Sequence, residues 1–182
     1  MIQLLALLLV LNFSGDAHLI TNGDFEQDLS QGWTQSSSGS SVIINRATTY
    51  DPDPDYEVQV YKGNGSGYAL IYQIINIVTT DLEFNVDAKF EVAATSSAWA
   101  GASVTLKYLD SNGATLGLTR IYRKTTYCPW YSSNTSHLIE AVDQNWNNYT
   151  FNLDSELVNL PGVNPLDISQ VAIILLDTCY YC

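Results

Sequence analysis

Residues 82–92 read Leu-Glu-Phe-Asn-Val-Asp-Ala-Lys-Phe-Glu-Val, and apolar and polar side chains alternate along this stretch without a break. Because successive side chains of a strand point to opposite faces of a sheet, the pattern predicts a β-strand with one face in the core. Residues 104–109 alternate in the same way and end at the turn cluster 110–113. The chain then returns, so residues 103–123 predict a hairpin.

Several other segments have strand character and are separated by turn residues. The predicted strands are 41–45, 56–61, 68–78, 149–153 and 171–176. Only 136–142 and 155–160 have the pattern of a helical turn or two, and 35–41 predicts a flexible loop. Short strands at regular spacing are typical of an antiparallel β-sandwich or jelly roll, which is the fold class we expect.

Composition limits the number of domains and the class of partner. The chain has 182 residues, 46% of them hydrophobic, which suits one compact domain. Its formal net charge of −12 disfavours nucleic acid and anionic membranes, because both are polyanions. No glycine-rich phosphate loop is present.

The N-terminus has the features of an export signal. Residues 2–13 form an apolar run that is too short to span a bilayer but suits a signal-peptide core. Small residues at Gly15 and Ala17 predict cleavage after Ala17, leaving residues 18–182 as a secreted domain without a membrane span. The alternative for the apolar run is a buried first strand or helix. Glycosylation sequons at Asn64, Asn134 and Asn148 agree with an extracellular glycoprotein.

Three cysteines, Cys128, Cys179 and Cys182, imply one disulfide and one remaining thiol, or a bridge to another chain. We expect Cys128 to pair with Cys179 or Cys182 and so to tie a loop to the C-terminal segment. The spacing of Cys179 and Cys182 also occurs in redox and zinc sites, but no second Cys pair or His pair completes a zinc set.

The opening Leu19-Ile20-Thr21-Asn22-Gly23-Asp24-Phe25-Glu26, followed by Gly32-Trp33, resembles the galactose-binding-like carbohydrate-binding modules of families four, nine and twenty-two. Later motifs fall in the same order as in those modules. They are 67–75, the strand 82–90, the hairpin 104–117 and Trp146-Asn147-Asn148-Tyr149-Thr150. The resemblance implies a non-catalytic jelly roll that binds polysaccharide.

The same resemblance raises two further expectations. Many such modules hold a structural calcium ion at positions that correspond to Asp24 and Glu26, and carboxylate oxygens suit that ion. Members of the family normally close with one more strand after the segment that matches 171–176. That strand is not recognisable here, so we expect an open sheet edge or a fragment of a larger protein.

Aromatic residues in predicted loops are the first candidates for glycan contact. Trp99, Tyr127, Trp130 and Tyr131 lie where little core is available to cover them. The apolar face of a sugar ring stacks on such rings. The competing explanation is packing against the disulfide at Cys128 or against a protein partner. Trp33 and Trp146 lie within structural motifs, and we expect them to pack in the core.

Polar candidates come from the outward positions of the strand 82–92. Asn85 and Asp87 lie about 6–7 Å apart on one face and could hydrogen-bond sugar hydroxyls. A solvated outer face explains the same pattern. Arg120, Arg123 and Lys124 are expected to pair with acidic residues or, less often, to contact an acidic sugar.

Catalysis has little support in the sequence. His137 has no convincing nucleophile beside it, since the adjacent Ser136 belongs to a sequon. The sequence therefore predicts a secreted, non-enzymatic glycan-binding β-sandwich. The alternative is a structural surface or filament glycoprotein of the same fold that self-associates through an open sheet edge.

Overall fold

A computed structural model describes residues 19–49, 55–93 and 98–181, together with the backbone of 3–13. The described residues form a β-sandwich of two mainly antiparallel sheets, which confirms the predicted fold class. The strands are β1 (Gln3–Phe13), β2 (Thr34–Ser38), β3 (Val42–Ala47), β4 (Glu57–Lys62), β5 (Gly67–Asn76), β6 (Leu82–Glu91), β7 (Trp99–Leu109), β8 (Thr115–Lys124), β9 (Ser136–Glu140), β10 (Asn147–Asn152) and β11 (Gln170–Tyr180).

Sheet A has the order β10-β6-β1-β4-β3, and sheet B has the order β2-β5-β11-β7-β8-β9. Neighbouring strands are antiparallel, except that β9 runs parallel to β8. One short helix, α1 (Leu153–Leu157), follows β10, and a 3-10 turn spans Pro165–Asp167. No helix in the described part of the chain is long and apolar enough to cross a bilayer.

The core lies between the two sheets and is built from the alternation seen in the sequence. From sheet A, the inward side chains of β6, among them Phe84 and Phe90, are fully buried. From sheet B, Val104 and Leu106 of β7 and Ile173 of β11 meet them. The predicted strand at 82–92 and the predicted hairpin at 103–123 are both present.

Two predictions about minor elements are wrong. Residues 34–38 form edge strand β2, although 35–41 was expected to be a loop, because β5 supplies hydrogen-bond partners that a polar segment can use. Residues 136–140 form strand β9 beside β8, not a helical turn. The helical turn expected at 155–160 corresponds to α1, which begins two residues earlier.

The apolar run of the predicted signal peptide forms strand β1, which lies between β4 and β6. This position corresponds to the alternative interpretation of a first strand. Cleavage after Ala17 stays a prediction, and it would remove β1 from the middle of sheet A.

The expected bridge from Cys128 is wrong. Cys128 is a free, buried thiol, whereas Cys179 is disulfide-bonded. Burial raises the pKa of the Cys128 thiol to about 11, so it stays protonated at neutral pH. Cys182 lies outside the described residues.

A polar contact inside the sandwich connects the two sheets. Lys62 of β4 and Asp177 of β11 are both fully buried, and the backbone N–H of Lys62 donates to Asp177 Oδ2 at 2.8 Å. The Lys62 ammonium donates to the carbonyl oxygens of Gly63, Asn64 and Gly65 at 2.7–3.0 Å. Asp177 Oδ1 has no partner within the described structure. Burial raises the pKa of Asp177 to about 8.

This shift predicts a pH-dependent free energy of unfolding. The folded chain keeps the Asp177 proton between about pH 4 and pH 8, where the unfolded chain has lost it. The contribution of the protonated Asp177 carboxyl to the free energy of unfolding is complete below about pH 4, and it decreases as the pH rises to about 8. In Asp177→Asn, the decrease in the free energy of unfolding between about pH 4 and pH 8 should be smaller by about 2–5 kcal/mol. Urea unfolding at several pH values measures this difference. Asp167→Asn, at an exposed position, is the control and should keep the pH dependence of the wild type. The prediction is wrong if Asp177→Asn also keeps the wild-type pH dependence of unfolding.

Candidate functional site

An open groove of about 320 Å³ lies on the outer face of sheet B, on the side away from the core. Its floor comes from the outward residues of β5, β7 and β11, and one wall comes from the turn between β7 and β8. The lining residues are Ser36, Leu70, Tyr72, Ile74, Lys107, Leu109, Gly113, Thr115, Ala172 and Ile174. The surface is mainly apolar with a few polar groups, which is typical of small-molecule and sugar sites.

Strand register explains why these side chains meet. Ile174 of β11 pairs with Tyr72 of β5 on one side and with Thr105 of β7 on the other. Directly paired residues of neighbouring strands point to the same face, so the three side chains form one row on the outer face of sheet B, and Tyr72 and Ile174 of this row line the groove. In the next row, Ala172 pairs with Ile74 and Lys107.

Two lining residues are available to a ligand. Ile74 is 51% exposed, in the part of β5 that pairs with β11 and extends beyond the end of β2. Lys107 has no hydrogen-bond or ion-pair partner in the described structure. No acidic side chain lines the groove, although the chain contains 19 Asp and Glu residues. The groove therefore offers an unpaired ammonium group beside apolar and aromatic surface.

The predicted aromatic Trp130 lies on this same outer face. Its indole covers Gly101 of β7 so closely that a Cβ built there would lie 2.6 Å from the ring. The guanidinium of Arg120 stacks on the ring at 4.2 Å, and Arg120 Nε donates to Thr105 Oγ1 at 3.0 Å. Burial lowers the pKa of Arg120 to about 10, so it remains charged at neutral pH. Thr105 links this stack to the central row of the groove.

The other predicted aromatics are distributed around the same end of sheet B. Trp99 pairs with Tyr180 across β7 and β11, and their rings stack at 5.9 Å. Tyr131 is 71% exposed and lies 4.9 Å from the Lys124 ammonium. Tyr127 is 67% exposed. The expected core position of Trp33 is confirmed, since it is 5% exposed and packs on Phe25.

Asn85 and Asp87 do not join this site, because they lie on the outer face of sheet A, across the sandwich. There they belong to a polar cluster with β10. Asn148 Nδ2 donates to the side chains of Asn85 and Asp87 at 3.2 and 3.1 Å, and Asn85 Nδ2 donates to Thr150 Oγ1. A single ligand in the groove of sheet B therefore cannot also contact Asn85 and Asp87 on sheet A. The sequence predicted that Asn85 and Asp87 share one outward face of a strand. It did not predict which of the two sheets this strand belongs to.

The predicted calcium residues lie in a tight loop that Arg46 holds. Its guanidinium donates to the carbonyl oxygens of Phe25 and Glu26 at 2.7 and 2.8 Å. Glu26 Oε1 accepts from the backbone N–H of Tyr56, and Asp24 Oδ1 accepts from that of Glu26. A cation there would compete with a guanidinium for the same oxygens, and no group of three metal-ligating side chains converges in the described part of the chain. Calcium binding at Asp24 and Glu26 stays a prediction.

The structure reveals a buried polar network that the sequence did not indicate. Glu156 of α1 is 5% exposed; its carboxylate contacts His137 Nδ1 at 2.5 Å and accepts from Thr119 Oγ1 at 2.8 Å. Thr119 in turn contacts the Tyr108 hydroxyl at 3.0 Å. These groups face the interior and are separated by sheet B from the groove. Their partners are close in space but distant in sequence, so no local motif could have shown them.

Comparisons with known proteins add information on the fold. No family model and no curated protein matches the sequence significantly. The enzymatically active domain of tailspike protein 4 from bacteriophage CBA120 has a TM-score of 0.50 and 14% identity, covering 90% of this chain and 19% of that one. A second solved structure comes from work on the promiscuous specificity of carbohydrate-binding modules from the β-sandwich superfamily. It has a TM-score of 0.45 and 13% identity, and the match covers 83% of this chain and 52% of that one.

The chain therefore spans less than two thirds of either matched protein. The similarity to the tailspike domain concerns the fold alone, and neither match determines what this chain binds.

The contact between Trp130 and Gly101 gives a test of the site's construction. Gly101→Ala should displace the indole and cost about 1–3 kcal/mol in the free energy of unfolding, because the new methyl group overlaps the ring. In a Trp130→Ala background the same change should cost less than about 0.5 kcal/mol. A double-mutant cycle by urea unfolding measures the difference, and equal costs in both backgrounds would show that the ring does not lie over Gly101.

Proposed function

We propose that the groove on the outer face of sheet B binds a polysaccharide without chemical conversion. The observation that carries the proposal is an open groove with partly exposed aromatic and apolar surface and an unpaired ammonium group. A sugar ring has apolar C–H faces and a rim of hydroxyl groups, so it needs both kinds of surface.

Tyr72 is the aromatic residue that lines the groove itself. It lies in the central row with Ile174, beside the exposed side chain of Ile74. Stacking of a sugar on the tyrosine ring buries apolar area and adds about 0.5–1.5 kcal/mol beyond that burial. Trp130, which stacks with Arg120 on the same face, would contact a glycan chain that runs beyond the groove.

Lys107 and the hydroxyl groups of Ser36 and Thr115 supply polar contacts in the groove. An ammonium group donates hydrogen bonds to sugar hydroxyls and binds more strongly to a carboxylate. Since no acidic residue lines the groove, a glycan that carries uronic acids is accepted as well as a neutral one. The net charge of −12 opposes long acidic polymers at low salt, and added salt screens this repulsion.

The proposal includes no catalytic step. The half-buried His137 and the buried Glu156 lie on the inner side of sheet B, opposite to the groove. The groove lining contains no carboxylate that could act as acid or base on a glycosidic bond. The predicted export of the chain would bring it to extracellular glycans, and this location stays part of the proposal.

Native gel retardation tests the proposal with the full chain in gels that contain xylan, soluble cellulose, mixed β-glucan, laminarin or alginate. We expect retardation in at least one polymer and a loss of about tenfold in affinity for Tyr72→Ala, because the stacking partner is removed. Lys107→Gln should weaken binding to alginate more than binding to a neutral polymer. Thermal melts establish that the variants fold.

Matched controls separate the groove from the other candidate residues. Tyr127→Ala removes an exposed tyrosine of a loop, and Asn85→Ala changes the outer face of sheet A. Both should leave retardation within about twofold of the wild type. If Asn85→Ala abolished binding while Tyr72→Ala did not, the glycan site would lie on sheet A and the proposal would be wrong.

A further inference from the structure

Charged residues are distributed unevenly over the strands of the two sheets. The strands of sheet B contain four of the seven basic residues of the chain, namely Lys107, Arg120, Arg123 and Lys124. The same strands contain only two of the 19 acidic residues, Glu140 and Asp177. Asp177 is fully buried and accepts a backbone N–H inside the sandwich, so it does not reach the outer face. The outer face of sheet B therefore carries positive charge in a chain whose net charge is −12.

Three of these cations share the outer face, and we call Lys107, Arg120 and Lys124 the basic row. Arg120 of β8 pairs with Thr105 of β7, and Lys107 lies two residues further along β7. Alternate residues of a strand point to the same face about 6–7 Å apart, so Lys107 lies beside Thr105, and Lys124 lies on the same face of β8 as Arg120. Arg120 Nε donates to Thr105 Oγ1, so its guanidinium reaches from β8 towards the groove.

The basic row has no acidic partner. None of its three members forms an ion pair within the part of the chain that the structure describes, and Glu140 lies beyond ion-pair distance of all three. The Lys124 ammonium donates to the carbonyl oxygens of Cys128 and Trp130 and so fixes the loop that carries the indole. Arg120 stacks on that indole, and among the described residues only its Nε donates a hydrogen bond. Its two terminal amino groups are available to a ligand.

An anionic group would supply the charge that the basic row lacks. Burial lowers the pKa of Arg120 because loss of solvent disfavours its charged form, and a ring face compensates only part of that cost. Hydrogen bonds from a cation to a carboxylate or sulfate are roughly twice as strong as those between neutral groups. Sugar hydroxyls would form only ordinary hydrogen bonds with the same residues. The row therefore favours an acidic sugar over a neutral one.

We propose that the glycan in the groove carries acidic groups, uronate carboxylates or sulfate esters, and that Lys107 and Arg120 bind them. This inference rests on the proposed function, because it names the class of polysaccharide for the same site. Lys107 lines the groove and pairs with Ala172 of its floor. Arg120 bonds to Thr105, which pairs with Ile174 of the floor. Both cations thus border a chain that lies along β11.

The negative charge of the whole chain does not prevent this contact at moderate salt. The acidic side chains in the strands of sheet A lie on the other side of a sandwich whose layers are about 10 Å apart. At 0.15 M salt the Debye length is about 8 Å, so their repulsion of a ligand on sheet B is largely screened. A direct contact with Lys107 or Arg120 is within hydrogen-bond distance and is screened much less.

Calorimetric titration of the full chain at 0.15 M salt tests the inference with matched pairs of oligosaccharides. Hexamers of alginate and of galacturonate are compared with their methyl esters, which keep the backbone and lose the charge. Sulfated dextran oligomers are compared with unsulfated ones. We expect at least one acidic member to bind about tenfold more tightly than its neutral counterpart, because charge-assisted hydrogen bonds replace neutral ones. The pair that shows this difference identifies the acidic group as carboxylate or sulfate.

Variants locate the preference on sheet B. Lys107→Gln should lower the affinity for the acidic ligand about tenfold and the affinity for its neutral counterpart much less. Lys107 has no hydrogen-bond or ion-pair partner in the described structure, so this change should leave the fold intact. Arg120→Lys keeps the charge but loses the planar fork, and it should also reduce the preference. The control Lys89→Gln removes a cation from the outer face of sheet A, where it pairs with Glu91, and should keep the preference.

The outcomes separate this inference from the proposed function. Equal affinity for the acidic and neutral members of every pair would overturn the inference and leave glycan binding in place. The same holds if fragments of xylan or β-glucan bind and no acidic oligosaccharide does. A preference that Lys89→Gln abolishes and Lys107→Gln leaves intact would place the acidic contact on sheet A and overturn the inference. If no oligosaccharide binds at all, the proposed function and the inference are both wrong.

Discussion

The structure depends on the pairing of β11 with β5 and β7 at the centre of sheet B. The inward residues of β11, such as Ile173 and Leu175, are fully buried in the core between the sheets. Its outward residues, Ala172 and Ile174, form the floor of the groove. Farther along the same strand, Asp177 reaches the buried Lys62 of β4 and so connects sheet B to sheet A. One strand therefore determines the core, the position of the groove and the polar contact between the layers, because a shift of one residue would exchange its two faces.

The two outer faces of the sandwich differ in chemistry although both come from regular alternation. On sheet A the outward positions of β6 and β10 carry amides, hydroxyls and carboxylates that bond mainly to one another, as in the cluster of Asn85, Asp87 and Asn148. On sheet B the outward positions carry Tyr72, Ile74 and an unpaired Lys107. A surface whose polar groups are already paired gains little from a ligand, whereas unpaired and apolar groups gain from being covered. This difference places the proposed glycan site on sheet B.

The regular parts of the fold followed from period-two alternation, since an apolar face must be buried. Residues 82–91 and the hairpin of β7 and β8 appear where the sequence predicted them. The edge strands β2 and β9 were not predicted, because their strand conformation depends on pairing with β5 and β8 and not on the pattern of their own side chains. Trp130 was identified as a loop aromatic, but its neighbours Arg120 and Gly101 are brought to it by pairing across β7 and β8. Tyr72 and Lys107 looked like ordinary strand residues, and only the register of three strands unites them. The apolar run before residue 14 fits an export signal and a central strand equally well, since both need uncharged, apolar residues.

The central claim, that a glycan occupies the groove of sheet B, is tested most directly by methyl NMR of the full chain during titration with soluble fragments of xylan, β-glucan and alginate. Ile74 and Ile174 line the groove, whereas Ile43, 42% exposed, belongs to β3 of sheet A. The account predicts that at least one fragment shifts the signals of Ile74 and Ile174 in a saturable way and leaves that of Ile43 unchanged. Shifts confined to Ile43, or no shift with any fragment that retards the protein in gels, would contradict it.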